Sequence, residues 1–323
     1  MSQTLFRIYQ GAGQFSRVMA ALAILLFAGL QFINFEITMK AQVVLAVIAL
    51  AIGIPHGAID HLITIPRDST KRFIGFIAIY TLIAIIAALA IAQWNLVGFQ
   101  LVVLMSALHF GFGDSAYANE SQASAGKNGY SKLILASYAI PAGFLPVVLP
   151  LTDKRTFDVL QELNPALINW AGTFTELLRN STLAIAIFSI LLLIITKNYS
   201  LAIDLALLLA LSFLAPPLVA FAVYFGLWHA IRHTARLVPK LPSAMQKVST
   251  GKPLAVFFTA VIPGLYAIFG IFILGIIFVA RGTTDVSSDF LWIILVIIWA
   301  LTVPHMATTA KFDLRAFKSS LRP

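Results

Sequence analysis

All six histidines of this chain stand in four short motifs: GIPHGAIDHL (Gly53–Leu62), LHFGFGD (Leu108–Asp114), WHAIRH (Trp228–His233) and VPHM (Val303–Met306). Imidazole binds transition metals and relays protons near neutral pH, so these motifs are where chemistry would sit. WHAIRH puts His229 and His233 at i, i+4 on one helix face, a pair able to bind one ion. His56 and Asp60 share that spacing, and a carboxylate so placed orients an imidazole by accepting its other N–H. His61, five residues after His56, faces elsewhere. The chain has no cysteine, which excludes disulfides, iron–sulfur clusters, thiolate haem ligation and cysteine nucleophiles. Imidazole-rich, thiolate-free ligation suits iron, copper or zinc rather than magnesium or calcium. Gly53, Gly57, Gly111 and Gly113 flank His56 and His109 and allow close helix packing or room for a ligand.

The elements that must position these residues are membrane spans. Hydrophobic residues make up 60% of the 323 and charged residues 11%, with mean hydropathy +0.92; a soluble domain carries about 25% charged residues. The expected fold class is an all-α, polytopic integral membrane bundle forming a single domain over residues 1–323. About ten spans are expected, at 18–35, 42–65, 73–93, 97–117, 131–151, 181–196, 200–214, 217–236, 254–279 and 289–309, with eight or nine also compatible. The prolines of APPL (Ala215–Leu218) divide the seventh span from the eighth. Residues 152–180 read as an extramembrane amphipathic segment lying along the interface. The N-terminus lacks a signal-peptide layout and reads as a retained first helix.

The net charge of +9 follows from orientation rather than from nucleic-acid binding. With ten spans and the N-terminus inside, sixteen of the 22 Lys and Arg fall inside and five outside, with Arg232 within a span. This asymmetry places both termini in the cytoplasm of a multi-pass protein of the cell (inner or plasma) membrane.

All six histidines fall in even-numbered, parallel spans. His56, His109 and His229 lie about seven to nine residues from the inner ends, roughly 10–14 Å deep. His61, His233 and His305 are about one turn shallower. A single intramembrane histidine is often only a packing group; six at similar depth, with an i, i+4 pair, indicate a metal or redox site. Phe110, Phe112, Tyr224, Phe225 and Trp228 are candidates for an apolar substrate tunnel, though aromatic packing is the simpler account of any one of them. Arg232 is expected to snorkel to the inner surface, Asp114 to ligate, orient or be solvated, and Asp204 to make an interior contact.

Taken in order, PHGAIDH, LHFGFGD, WHAIRH and VPHM resemble the Brp/Blh family of membrane β-carotene dioxygenases, over about residues 53–306. The resemblance implies cleavage of β-carotene at its central 15,15′ double bond with O₂, giving two molecules of all-trans-retinal. It implies iron (Fe²⁺) held by His56, His109, His229 and His233, which are also the catalytic set, with Asp60, His61 and His305 at recurring positions around it. A retinal-binding rhodopsin is the functional partner it suggests.

Four alternatives compete. Membrane di-iron hydroxylases and desaturases carry more histidines, in HxxxH and HxxHH boxes on cytosol-exposed helices; here no HxxHH occurs. A bis-histidine haem carrier needs paired histidines on facing helices. A retinal-binding rhodopsin needs a lysine within a span, and all eleven lysines lie outside the spans or at their edges. A proton or metal transporter would show broken helices with repeat symmetry, and APPL has no counterpart.

Overall fold

The computed structural model describes residues 2–65, 69–281 and 286–319; Arg67 and Arg322, counted above for orientation, lie outside them. The described residues contain helices and turns and no strand. This is the solution lipid imposes, since a helix satisfies its backbone polar groups within its own segment.

The chain opens with α1 (Gln3–Phe32), capped by the Ser2 hydroxyl, then α2 (Met39–Ala58), the short α3 (Asp60–Thr64), α4 (Thr70–Gln93), α5 (Asn95–Ser124) and α6 (Lys132–Leu151). After α7 (Thr156–Leu163) come α8 (Thr175–Ile195), α9 (Tyr199–Leu214) and α10 (Pro217–Ala222). A π-helical turn (Val223–His229) joins α10 to α11 (Ala230–Leu237). The chain continues through α12 (Pro242–Lys247), α13 (Pro253–Val261), α14 (Leu265–Arg281) and α15 (Val286–Ser319).

Among the described residues, eight helices are long and apolar enough to cross a membrane. They correspond to all but two of the ten expected spans. One of the two is α9, whose 16 residues reach about 24 Å, short of a hydrocarbon core of about 30 Å. The other is Pro217–Leu237, where the π turn interrupts the helix and α11 carries Arg232, His233 and Arg236. These two segments are consecutive, so eight crossings or ten bring both chain ends out on the same face. Some boundaries also move. α1 starts fifteen residues before the expected first span, and Thr175–Asn180, read as interfacial, begin α8. The rest of that segment folds over the bundle through α7 and two short 3₁₀ turns, burying Val159, Leu160, Leu167 and Trp170.

α5 and α6 form the centre of the bundle. They cross so closely that a Cβ on Gly111 would overlap the Ala139 carbonyl, and one on Gly143 the Ala107 carbonyl. Here small residues let backbones meet, the usual device for joining helices in lipid.

Arg232 does not snorkel. It is 1% exposed, with its guanidinium 3.7 Å from the Trp228 ring centre, donating to Ser16 Oγ (2.8 Å) and to Asp204 Oδ2 (2.9 Å). Arg17 Nε binds the other Asp204 oxygen at 2.6 Å. The carboxylate on α9 neutralises the charge where it stands, so nothing draws it to the surface. Asp204 thus makes the interior contact expected of it. Asp204→Ala leaves two guanidinium groups without their partner and should cost about 3–5 kcal/mol. The measure is a lowered unfolding midpoint in detergent; a midpoint equal to wild type would show that the pairs contribute nothing net.

Candidate active site

Five elements bring five imidazoles together. α2 supplies His56, α5 supplies His109, the π turn and α11 supply His229 and His233, and α15 supplies His305. In eight of the ten pairs the ring centres lie 5.1–6.0 Å apart, from His56–His233 to His109–His233. His305 stands 5.3 Å from His56, 5.2 Å from His109 and 5.7 Å from His233. It is therefore a full member of the cluster rather than an outer neighbour. His61 is not a member: its ring meets the edge of Phe73 at 5.9 Å.

All five are buried, yet their nitrogens are poorly satisfied. Seven of the ten buried side-chain N and O atoms without a hydrogen-bond partner among the described residues belong to them. Unpaired buried donors and acceptors are costly, so seven in one place indicate a ligand. Imidazoles sharing one ion through bonds of about 2.1 Å have ring centres about 5 Å apart. Donor chemistry and ring spacing therefore fit a transition metal. As they stand, no three or more His, Asp or Glu side chains among the described residues are set to hold an ion, so the rings must turn to share one.

Several neighbours hold individual rings. Asp60 Oδ2 accepts from His305 Nδ1 at 2.9 Å and from the Tyr80 hydroxyl at 3.2 Å. An ionised carboxylate only accepts, so His305 Nδ1 carries the proton of this bond, and its Nε2 is left without a partner among the described residues. This corrects the expectation that Asp60 orients His56. α2 ends at Ala58, with Ile59 between it and α3, and the break cancels the i, i+4 register. His109 Nδ1 lies 3.4 Å from Thr309 Oγ1, whose own proton goes to the His305 carbonyl (3.1 Å). Asp114 is buried rather than solvated. It accepts from Tyr224 (3.2 Å) and Trp228 Nε1 (2.9 Å), and its other oxygen is 3.8 Å from His229 Nδ1.

The backbone makes room for these rings. A Cβ on Gly113 would come 3.2 Å from His229 Cε1, one on Gly57 3.4 Å from His305 Nδ1, and one on Gly53 would overlap the Phe225 ring. Arg236 binds Glu120 (3.0 Å) and Asp313 (2.7 Å). It thereby ties α11, α5 and α15, three of the histidine-bearing helices, together.

His56, His61, His109 and His305, with Asp60 and Tyr80, line a cavity of about 370 Å³, otherwise mainly apolar, which Phe110 and Phe225 also face. Phe110 packs against His229, ring centres 4.5 Å apart and planes tilted by 53°. Of the other tunnel candidates, Tyr224 and Trp228 do not line it but hold Asp114, and Phe112 is 41% exposed on the outer side of α5. The π turn decides this division, because its extra residue per turn re-aims side chains that an α-helix would stack. Tyr80 and Thr309 have no motif in the sequence; only packing of α4 and α15 reveals them.

The sequence profile of a family described as Beta-carotene 15,15′-dioxygenase matches residues 47–313. A relative named Beta-carotene 15,15′-dioxygenase, from an uncultured marine bacterium (66A03), is 30% identical over 266 residues, which is 79% of this chain and 88% of the relative. No solved structure matches.

Proposed function

This chain belongs to the beta-carotene 15,15′-dioxygenase family, and on that premise we propose that it cleaves β-carotene at its central 15,15′ double bond with O₂ to give two molecules of all-trans-retinal. The observation that carries this reading is the wall of buried, unpartnered imidazoles facing an apolar cavity. Atoms and electrons balance without a further reagent: the C15=C15′ and O–O bonds break, and two C=O bonds form. No proton enters or leaves. This agrees with a site whose carboxylates, Asp60 and Asp114, are occupied in holding other side chains.

In this reading His56, His109, His229 and His233 hold iron, and His305 joins them. When bound, the metal supplies the one-electron chemistry that lets O₂ react with a closed-shell polyene. The chain does the rest. Tyr80 and Asp60 hold His305 in one tautomer and orientation. Asp114 is fixed by Tyr224 and Trp228 beside His229. Phe110 and Phe225 present apolar faces to the polyene and keep water from the reacting carbons. Substrate arrives from the bilayer, where it dissolves. Ile77 and Leu274, which line the cavity, are 40% and 46% exposed on the lipid side. The cell membrane is the site of action, and retinal released there would supply a rhodopsin.

Expression in a β-carotene-accumulating bacterial host tests the proposal. The expected result is loss of colour with accumulation of retinal. Unchanged carotene in aerated cells, with the protein verified in the membrane, would sink it.

A further inference from the structure

A second cavity, of about 150 Å³, lies farther along some of the same helices. Three of the helices that frame the histidine cavity, α2, α5 and α15, frame this one too, displaced by about one turn, or about 5 Å. On α2, Leu50 lines the second and Gly53 the first; on α5, Ser106 and His109; on α15, Trp299 and Thr302. Between α10 and the π turn, Phe221 lines the second cavity and Phe225 the first. These two rings stack at 5.7 Å with planes 9° apart, so one ring of the stack belongs to each cavity.

The two cavities end differently. The first opens toward lipid between α4 and α14, at Ile77 and Leu274. The second is lined along one side by Val43, Ala46 and Val47 of α2, which are half-buried, and is capped at its end by α7 and the turn after it, where Val159, Leu160 and Leu167 are buried. Its lining carries no charged side chain. Its only hydroxyls are Ser106 and Thr156, and Thr156 is bonded to the Pro150 carbonyl. Such a lining offers almost nothing to a polar ligand and suits a hydrocarbon.

We propose that this second cavity receives the leading half of the polyene, so that its capped end fixes by length which double bond lies beside the histidines. The inference rests on β-carotene being the substrate. A molecule with two equal halves is cut at its centre only if one half is measured. The side open to lipid admits any length, so the capped side is the one that measures. Phe221 and Phe225 swing aside to admit the chain. Positioning of this kind selects one of many similar bonds without any group that distinguishes them chemically.

Val159→Trp shortens the cavity at its capped end. With β-carotene, retinal formation should fall about 10–100-fold and the residual cut should move off centre, giving one shorter and one longer aldehyde. β-Apo-8′-carotenal, which offers a truncated half to the shortened cavity, should still give retinal at near wild-type rate. That retention also reports that the variant is folded. Leu160→Ala, which lengthens the cavity, should broaden the products around the centre. Should Val159→Trp fail to insert in the membrane, the Leu160→Ala product pattern decides. Wild-type regiochemistry and rate in both variants, or equal loss on both substrates in a membrane-inserted protein, would overturn the inference while leaving the substrate reading intact. A wild-type protein that forms no retinal would remove both.

Discussion

His229→Ala and His233→Ala are each expected to abolish retinal formation and to lower iron bound by the purified protein. The two rings share one face, 5.6 Å apart, and none of their four nitrogens has a hydrogen-bond partner among the described residues. Removing either ring takes away a donor that no neighbour replaces. The same loss is expected for His56→Ala and His109→Ala. Iron content separates a ligand from a residue that merely shapes the cavity: a shaping residue would lose turnover and keep metal. Retention of full activity by any one variant would take that residue off the ligand set. His61→Ala is the comparison, since its ring lines the same cavity but rests on Phe73 outside the cluster; it should keep its iron.

The second large effect concerns His305 and Asp60. His305→Ala should remove most activity, and Asp60→Asn should reduce it by about 10–100-fold, the usual loss when a partner that orients a metal-binding imidazole is removed. Because Asp60 acts through His305 (2.9 Å), the double variant should be no worse than His305→Ala alone. Residues in one hydrogen-bonded chain are non-additive in this way. If Asp60 instead served His56, as its spacing in the motif suggests, the two losses would multiply. Iron content and the ultraviolet–visible spectrum of the iron-loaded Asp60→Asn protein add a second readout. A positioning role predicts metal retained with an altered spectrum, whereas a purely structural role predicts a normal spectrum in whatever fraction of protein survives.

Much of this site was legible before folding. Residues that are expensive in lipid stand out against an apolar background, so the six histidines, Asp60, Asp114, Asp204 and Arg232 could all be found as exceptions. Depth along a span follows from counting residues, which is why His56, His109 and His229 could be placed in one layer. Spacing arguments held where the helix is continuous and failed where it is not. His229 and His233 share a face because α11 is regular between them. His56 and Asp60 do not, because the helix stops at Ala58. The same cause divides the aromatic candidates, since the π turn sends Phe225 to the cavity and Tyr224 and Trp228 to Asp114.

Arg232 shows the other limit. Side-chain type and position near a span end favour snorkelling, but a carboxylate far away in sequence and close in space holds the charge inside. His305 was visible as a residue but not as a member of the cluster, because its place depends on how α15 packs against α4 and α5. The sequence by itself determined the class of the protein, the residue types of the site and their depth, for hydropathy and helical rise are local properties. Only the tertiary structure decided which imidazoles face one another, which carboxylate holds which ring, and which side chains line each cavity. Those are contacts between helices, and their partners are chosen by packing rather than by spacing along the chain.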